Sequence, residues 1–173
     1  NSALNLIEKF FNEHDFETIP VTLILKDCFF TKGFHREEIF TKKLKDFVID
    51  NAEFGTNFLN KMSEFDVGQS VVVSNCVVYA IEALEGTDAM IFRAGELYKQ
   101  YFRNSNFGPV LIKIPKLHQN LNMDLPVIGL ETIKKCYELG FSSIVVSSKG
   151  TLIVNIDRVK DYLTKYKFCI FAI

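Results

Sequence analysis

Apolar positions recur at helical spacing in some stretches of the chain and alternate or run together in others. Over residues 3–13, Leu4, Ile7, Phe10 and Phe11 share one face, which predicts an amphipathic helix. Residues 16–25 carry Ile19, Val21, Leu23 and Ile24 and read as a strand, with Pro20 marking an edge or a strand start. An aromatic and basic loop is expected from Asp27 to Glu38, its phenylalanines packing back onto the domain. Helical periodicity returns over residues 37–63 in Ile39, Leu44, Phe47, Val48, Phe54, Phe58, Leu59 and Met62. Gly55 marks a kink or break there, and Lys42, Lys43 and Lys45 read as a solvated face.

Two β-rich runs, 69–74 and 76–81, flank Ser74-Asn75 and predict a hairpin. A helix then runs to about Arg103 on Ala89, Ile91, Phe92, Leu97, Tyr98 and Phe102. The next strand spans 109–114, and a polar stretch fills 115–124. Beyond it the pattern predicts helix 130–138, strand 143–147, strand 151–154, helix 157–165 and strand 168–172, with Gly140 closing the first helix. Alternating elements of this kind define an α/β fold, a layered mixed sheet with flanking helices. The N-terminal helix and strand form half of an α/β unit, and the chain opens at Asn1 inside a helical pattern. The expectation is a remnant of an N-terminal α/β domain with its linker over residues 1–36, then a C-terminal α/β domain over 37–173 that carries the site.

Composition narrows the function classes. Hydrophobic content of 48% with 24% charged residues is that of an ordinary globular protein. A net charge of −1 gives no basic footprint for nucleic acid. Cys28, Cys76, Cys136 and Cys169 are scattered in apolar surroundings without a CxxC pair, so they read as reduced and buried. His14 and His35 have no acidic or cysteine partner at ligand spacing and read as surface residues. The sequence lacks G-x-x-x-x-G-K-[ST], G-x-S-x-G and H-E-x-x-H, which leaves a P-loop nucleotidase, a serine hydrolase and a zincin unsupported.

Chemistry concentrates in two stretches. At Glu82-Ala-Leu-Glu-Gly-Thr-Asp-Ala-Met90 a strand gives way to a helix. Thr87 is the expected helix cap, and Gly86 lets a ligand approach the backbone. The helix start offers N–H groups to a phosphate. Glu82, Glu85 and Asp88 could share a divalent cation, although acids are also favoured at a helix start without any ligand. From spacing alone the two readings are even. The second stretch holds Lys113, Lys116, His118, Gln119 and Asp124 after a strand. Lysines suit phosphate as point charges, and Asp124 could orient water or hold a metal; an exposed polar loop stiffened by Pro115 and Pro126 is the local alternative. Ligands in α/β sheets collect beyond the carboxyl ends of strands, so the two stretches are expected to form one site.

These residues resemble a known family. Asp66-Val-Gly-Gln-Ser-Val-Val-Val, Ala80-Ile-Glu-Ala-Leu-Glu-Gly-Thr-Asp-Ala-Met, Arg93-Ala-Gly, Lys113, Lys116, the stretch from Gln119 to Asp124-Leu-Pro, Ile128-Gly and Glu131-Thr-Ile are similar to the LpxI family. That family comprises UDP-2,3-diacylglucosamine pyrophosphatases of lipid A biosynthesis. The resemblance covers about Asp66 to the C-terminus and implies Mg²⁺- (or Mn²⁺-) dependent hydrolysis to UMP and 2,3-diacylglucosamine 1-phosphate (lipid X). It implies Asp124 as the essential catalytic acid and Glu82, Glu85 and Asp88 as metal or phosphate ligands. It further implies Gln69, Thr87, Arg93, Lys113, Lys116 and Gln119 as substrate contacts. Asn120 and Asn122 depart from the family's pattern ahead of Asp-Leu-Pro, where it has an acid and an arginine. The alternative is a non-catalytic domain that binds a nucleotide-sugar or an acylated sugar phosphate. The implied partner is an acylated UDP-sugar; contact with the inner membrane surface from the cytoplasmic side and a homodimer are further expectations.

Overall fold

The computed structural model describes residues 2–65, 67–102, 104–117, 121 and 124–173. Readings that fall on His118, Gln119, Asn120 and Asn122 lie outside the described residues, as does Asp66 of the first motif.

A six-stranded mixed sheet organises the chain, in the order β1 (Gly33–His35), β8 (Ile170–Ala172), β6 (Ser143–Val146), β4 (Val110–Lys113), β2 (Ser70–Ser74) and β3 (Val77–Ile81). Strands β4, β6 and β8 run parallel, while β2 is antiparallel to both β4 and β3. The carboxyl ends of β3, β4 and β6 therefore lie at the same edge as the start of β2. A separate parallel pair joins β5 (Val127–Ile128) to β7 (Leu152–Ile153).

Strands read as unbroken apolar runs because both faces of the sheet are covered. In β4, Val110 and Ile112 face one layer and Leu111 the other, all fully buried. One layer is the long helix α3 (Lys42–Met62), started by the Thr41 hydroxyl, which accepts from Leu44 N–H. Its Val48, Ala52 and Leu59 pack with Val71, Val73 and Ile112. The other layer holds α4 (Gly86–Leu97), α5 (Leu130–Glu138) and α6 (Ile156–Tyr166), whose Met90, Ile91, Ile133, Val159 and Leu163 meet Val72, Leu111, Ile144 and Ile170. The observed architecture is the expected α/β layering.

Several expectations are corrected. No strand forms over residues 16–25: Pro20 precedes the single helical turn α2 (Val21–Ile24), and Ile19, Leu23 and Ile24 stay exposed. Proline presets a helical turn and gives no ladder N–H, and the outer edge of β8 is taken by β1, inside the stretch read as a loop. The hairpin turn falls on Asn75 and Cys76, both at positive φ. That leaves Cys76 exposed, whereas Cys136 and Cys169 are buried; burial pushes the Cys169 thiol up to about 12 and keeps it protonated. His35 is half-buried against Phe30, with 4.3 Å between ring centroids, and bonds to the Thr31 carbonyl. The strand Val127–Ile128 has only two residues and carries no readable alternation.

Gly55 does not break α3. It allows the helix to lie on the sheet, since a Cβ there would sit 2.8 Å from Ile112 Cδ1 and 3.3 Å from Val71 Cγ1. Replacing Gly55 by Leu is expected to cost about 1–3 kcal/mol through overpacking. The check is the denaturant midpoint, which should fall; an unchanged midpoint would remove Gly55 from the α3–sheet contact.

Candidate functional site

At the shared edge a buried cation faces a buried carboxylate. Lys113 ends β4 and Glu82 follows β3, with side chains only 7% and 12% exposed and 3.5 Å between Nζ and Oε2. Two hydroxyls fill the space between them. Ser70 Oγ donates to Glu82 Oε2 at 2.5 Å and accepts from Lys113 Nζ at 3.2 Å. Thr87 Oγ1 donates to Glu82 Oε1 at 2.5 Å and accepts from Lys113 Nζ at 2.6 Å. An ammonium only donates and a carboxylate only accepts, so both hydroxyl protons are forced toward Glu82. Lys113 thus donates to both hydroxyls while facing the Glu82 carboxylate.

The local sequence explains why these groups meet. Ser70 is the first residue of β2, beside Lys113 in register. Gly68 N–H donates to the Glu82 carbonyl at 3.1 Å, and a Cβ on Gly68 would come within 2.5 Å of that oxygen, so only glycine allows this approach. Thr151 fixes the backbone of Lys113: its hydroxyl donates to the Lys113 carbonyl at 2.9 Å and accepts from Ser147 N–H at 3.1 Å. Thr87 is not the helix cap. It already lies inside α4, and its hydroxyl is turned to Glu82.

Gln69 carries the network outward. Its backbone N–H donates to Glu82 Oε2 at 3.1 Å, and its carbonyl accepts from Ile114 N–H at 3.1 Å. Its side-chain amide Nε2 then reaches Asp124 Oδ2 at 3.4 Å. Glu82 and Asp124, from the two stretches singled out in the sequence, thus stand on either side of one residue.

The other two acids of the Glu-Gly-Thr-Asp turn point elsewhere. Glu85 accepts from Arg93 Nη2 at 2.7 Å, and Arg93 also donates to the Ile81 carbonyl. Asp88 pairs with Lys135 at 2.5 Å on the exposed surface of α5. Exposed pairs of this kind contribute about 0–1 kcal/mol. Among the described residues no group of three His, Cys, Asp or Glu gathers to hold a metal ion. Glu82, Glu85 and Asp88 are therefore not a preformed cage. Lys116 is half-buried on the loop after β4. Ser70 was not singled out in the sequence; the available signal was a lone hydroxyl at the head of a β-branched run.

Electrostatics follow from this packing. Burial would raise the Glu82 carboxyl, but the Lys113 charge, the two hydroxyls and the Gln69 N–H outweigh it and hold the group below its usual value of 4.5. For Lys113 burial wins, lowering the ammonium below the ordinary lysine value against the pull of Glu82, Asp88 and Asp124. Glu85 is held low by its own backbone N–H and by Arg93.

These polar groups gather beyond the carboxyl ends of the strands, where ligands of open α/β sheets collect. The model of the LpxI C-terminal domain matches residues 36–171, and the chain belongs to that family. It is also similar to the UDP-2,3-diacylglucosamine pyrophosphatase LpxI of Caulobacter vibrioides, with 37% identity over 100 residues, 57% of this chain. The aligned part is 36% of that relative, so the chain spans roughly a third of its length.

The buried pair should be visible in stability. Lys113→Met leaves Glu82 without its cation and is expected to cost about 3–5 kcal/mol at neutral pH. Because the folded Glu82 value is depressed, its contribution is full above the unfolded value of 4.5 and is lost as pH falls through the lower folded value. Glu82→Gln should therefore flatten the acid limb of the stability curve, measured by urea unfolding between pH 2 and 7. An acid limb identical to the parent's would show that Glu82 is not perturbed.

Proposed function

We propose that the protein hydrolyses the pyrophosphate of UDP-2,3-diacylglucosamine, releasing UMP and 2,3-diacylglucosamine 1-phosphate in lipid A biosynthesis. The observation that carries this reading is the meeting of Asp124 with the Glu82–Lys113 network through Gln69, within the region shared with the family. The similar protein of Caulobacter vibrioides is named for that activity.

Hydrolysis adds the oxygen of water to one phosphorus and breaks that phosphorus–bridging oxygen bond, the bridge leaving with the other phosphate. The chain's own contribution is to hold the pyrophosphate and direct the water. Asp124 is the catalytic carboxylate, accepting a proton from the water or fixing its direction. Lys116, with Gln119, contacts the phosphate oxygens. Lys113, Thr87 and Arg93 are committed to internal partners in the absence of substrate. Mg²⁺ or Mn²⁺, when bound, supplies charge neutralisation of the pyrophosphate. The donor chemistry fits one protein carboxylate, Asp124, with the substrate's own phosphate oxygens, the usual manner of Mg²⁺.

An acylated substrate leaves a lipid surface, so the proposal includes action in the cytoplasm at the inner membrane. Among the described residues no helix is long and apolar enough to cross a membrane. Exposed Leu6, Ile7, Phe10 and Phe11 of α1 (Ser2–Glu13) are an available apolar surface for the membrane or for a second copy.

The test is release of UMP from UDP-2,3-diacylglucosamine by the full-length protein. Asp124→Asn is expected to lower kcat by about a thousandfold or more, within the range for loss of a general base or metal carboxylate. Chelation of divalent cations should stop release, and Mg²⁺ or Mn²⁺ should restore it. Tight binding of lipid X with no UMP released would favour the binding-domain alternative instead.

A further inference from the structure

We infer that the buried Glu82–Lys113 pair is a positioning device, which through Gln69 fixes the carboxylate of Asp124. The inference rests on the catalytic reading of Asp124 given above. It assigns Glu82 and Lys113 a role other than touching a metal or a phosphate.

Consider what each side chain has left to offer. The Lys113 ammonium donates to Ser70 Oγ and Thr87 Oγ1 and lies 3.5 Å from Glu82 Oε2. Glu82 Oε1 is taken by Thr87, and Oε2 by Ser70 and the Gln69 N–H. A ligand would reach either charge only by disturbing these hydrogen bonds in a largely buried network, where an orphaned group is costly. What the pair does hold is backbone. Glu82 pins the N–H of Gln69, and Ile114 N–H pins its carbonyl, so both backbone polar groups of that residue are held. Lys113 and Thr87 tie the same carboxylate to the end of β4 and the start of α4.

With its backbone fixed on both sides, Gln69 has only its side-chain torsions left, and its amide reaches Asp124 Oδ2. A carboxylate has two equivalent oxygens and a soft terminal torsion. One N–H on one oxygen selects which oxygen faces the reacting phosphate. Gln69 is thus a positioning residue for Asp124, and Glu82 with Lys113 positions Gln69.

The experiment uses the full-length protein and four variants, Gln69→Leu, Glu82→Gln, their double and Asp124→Asn. Gln69→Leu removes the amide and leaves the backbone pins untouched; Glu82→Gln keeps shape and loses the charge. Each is expected to lower kcat for UMP release about ten- to a hundredfold, the usual effect of losing a supporting group, with KM changed less than about threefold. The double variant should be no slower than the slower single, because both act on one carboxylate by one path. A second readout does not depend on turnover. The side-chain amide ¹⁵N resonance of Gln69 should move on Glu82→Gln and on Asp124→Asn, while that of Gln100 stays. Losses that multiply in the double variant, a rise in KM without a fall in kcat, or a Gln69 resonance indifferent to both changes would overturn the inference. If the parent protein releases no UMP, the proposed activity fails, and the Gln69 resonance still decides whether the clamp exists.

Discussion

A lysine ammonium and a glutamate carboxylate buried at the end of a sheet would be a liability if they had only each other. Each loses water on burial, and a direct contact at 3.5 Å is too long to compensate alone. The Ser70 and Thr87 hydroxyls make the arrangement tenable, because each accepts from the cation and donates to the anion. The four side chains come from the start of β2, the residue after β3, the end of β4 and the first turn of α4. No rearrangement of that edge can move one element without stranding a charge. The sheet's interior supplies the hydrophobic drive, and this network decides how its polar end is arranged.

That division is written along the strands. Val71, Val72 and Val73 of β2, like Val110, Leu111 and Ile112 of β4, are buried on alternating faces and serve two different helical layers. Polar residues appear only at the strand ends, Ser70 and Lys113 sitting side by side in register. A lysine in the middle of β4 would have no water and no partner. At its last residue it finds oxygen from the start of β2, the residue after β3 and the first turn of α4. Close approach of Gly68 to the Glu82 carbonyl holds the residue after β3 against the start of β2.

Much of the fold was legible from periodicity, and the parts that were not share a cause. α3, α5 and α6 announce themselves by long amphipathic patterns, and β2, β3, β4, β6 and β8 by β-branched runs between turn residues. Residues 16–25 look equally apolar, but a strand exists only where a neighbour completes its ladder, and the edge of β8 is filled by Gly33–His35. Val127–Ile128 failed for the opposite reason, since two residues become a strand only through Leu152–Ile153. Thr87 was misjudged because capping is a local rule, whereas its partners, Glu82 and Lys113, come from the preceding strand end and from another strand.

The acids of the Glu-Gly-Thr-Asp turn show the same limit on the chemical side. Within one turn Glu82, Glu85 and Asp88 look like a set, because sequence neighbours are the only company a local reading can see. In space each is claimed by a different cation, Lys113, Arg93 or Lys135, brought in by β4, α4 or α5. Neighbours in sequence, their side chains thus part in space. The two stretches were expected to meet, and Glu82 and Asp124, 42 positions apart by their residue numbers, do so through the amide of a third residue. A site assembled from strand ends has its charges sorted by topology. Those buried in the sheet edge, Glu82 and Lys113, tie its strands and helix together, while Asp124 lies outward of them beyond the amide of Gln69.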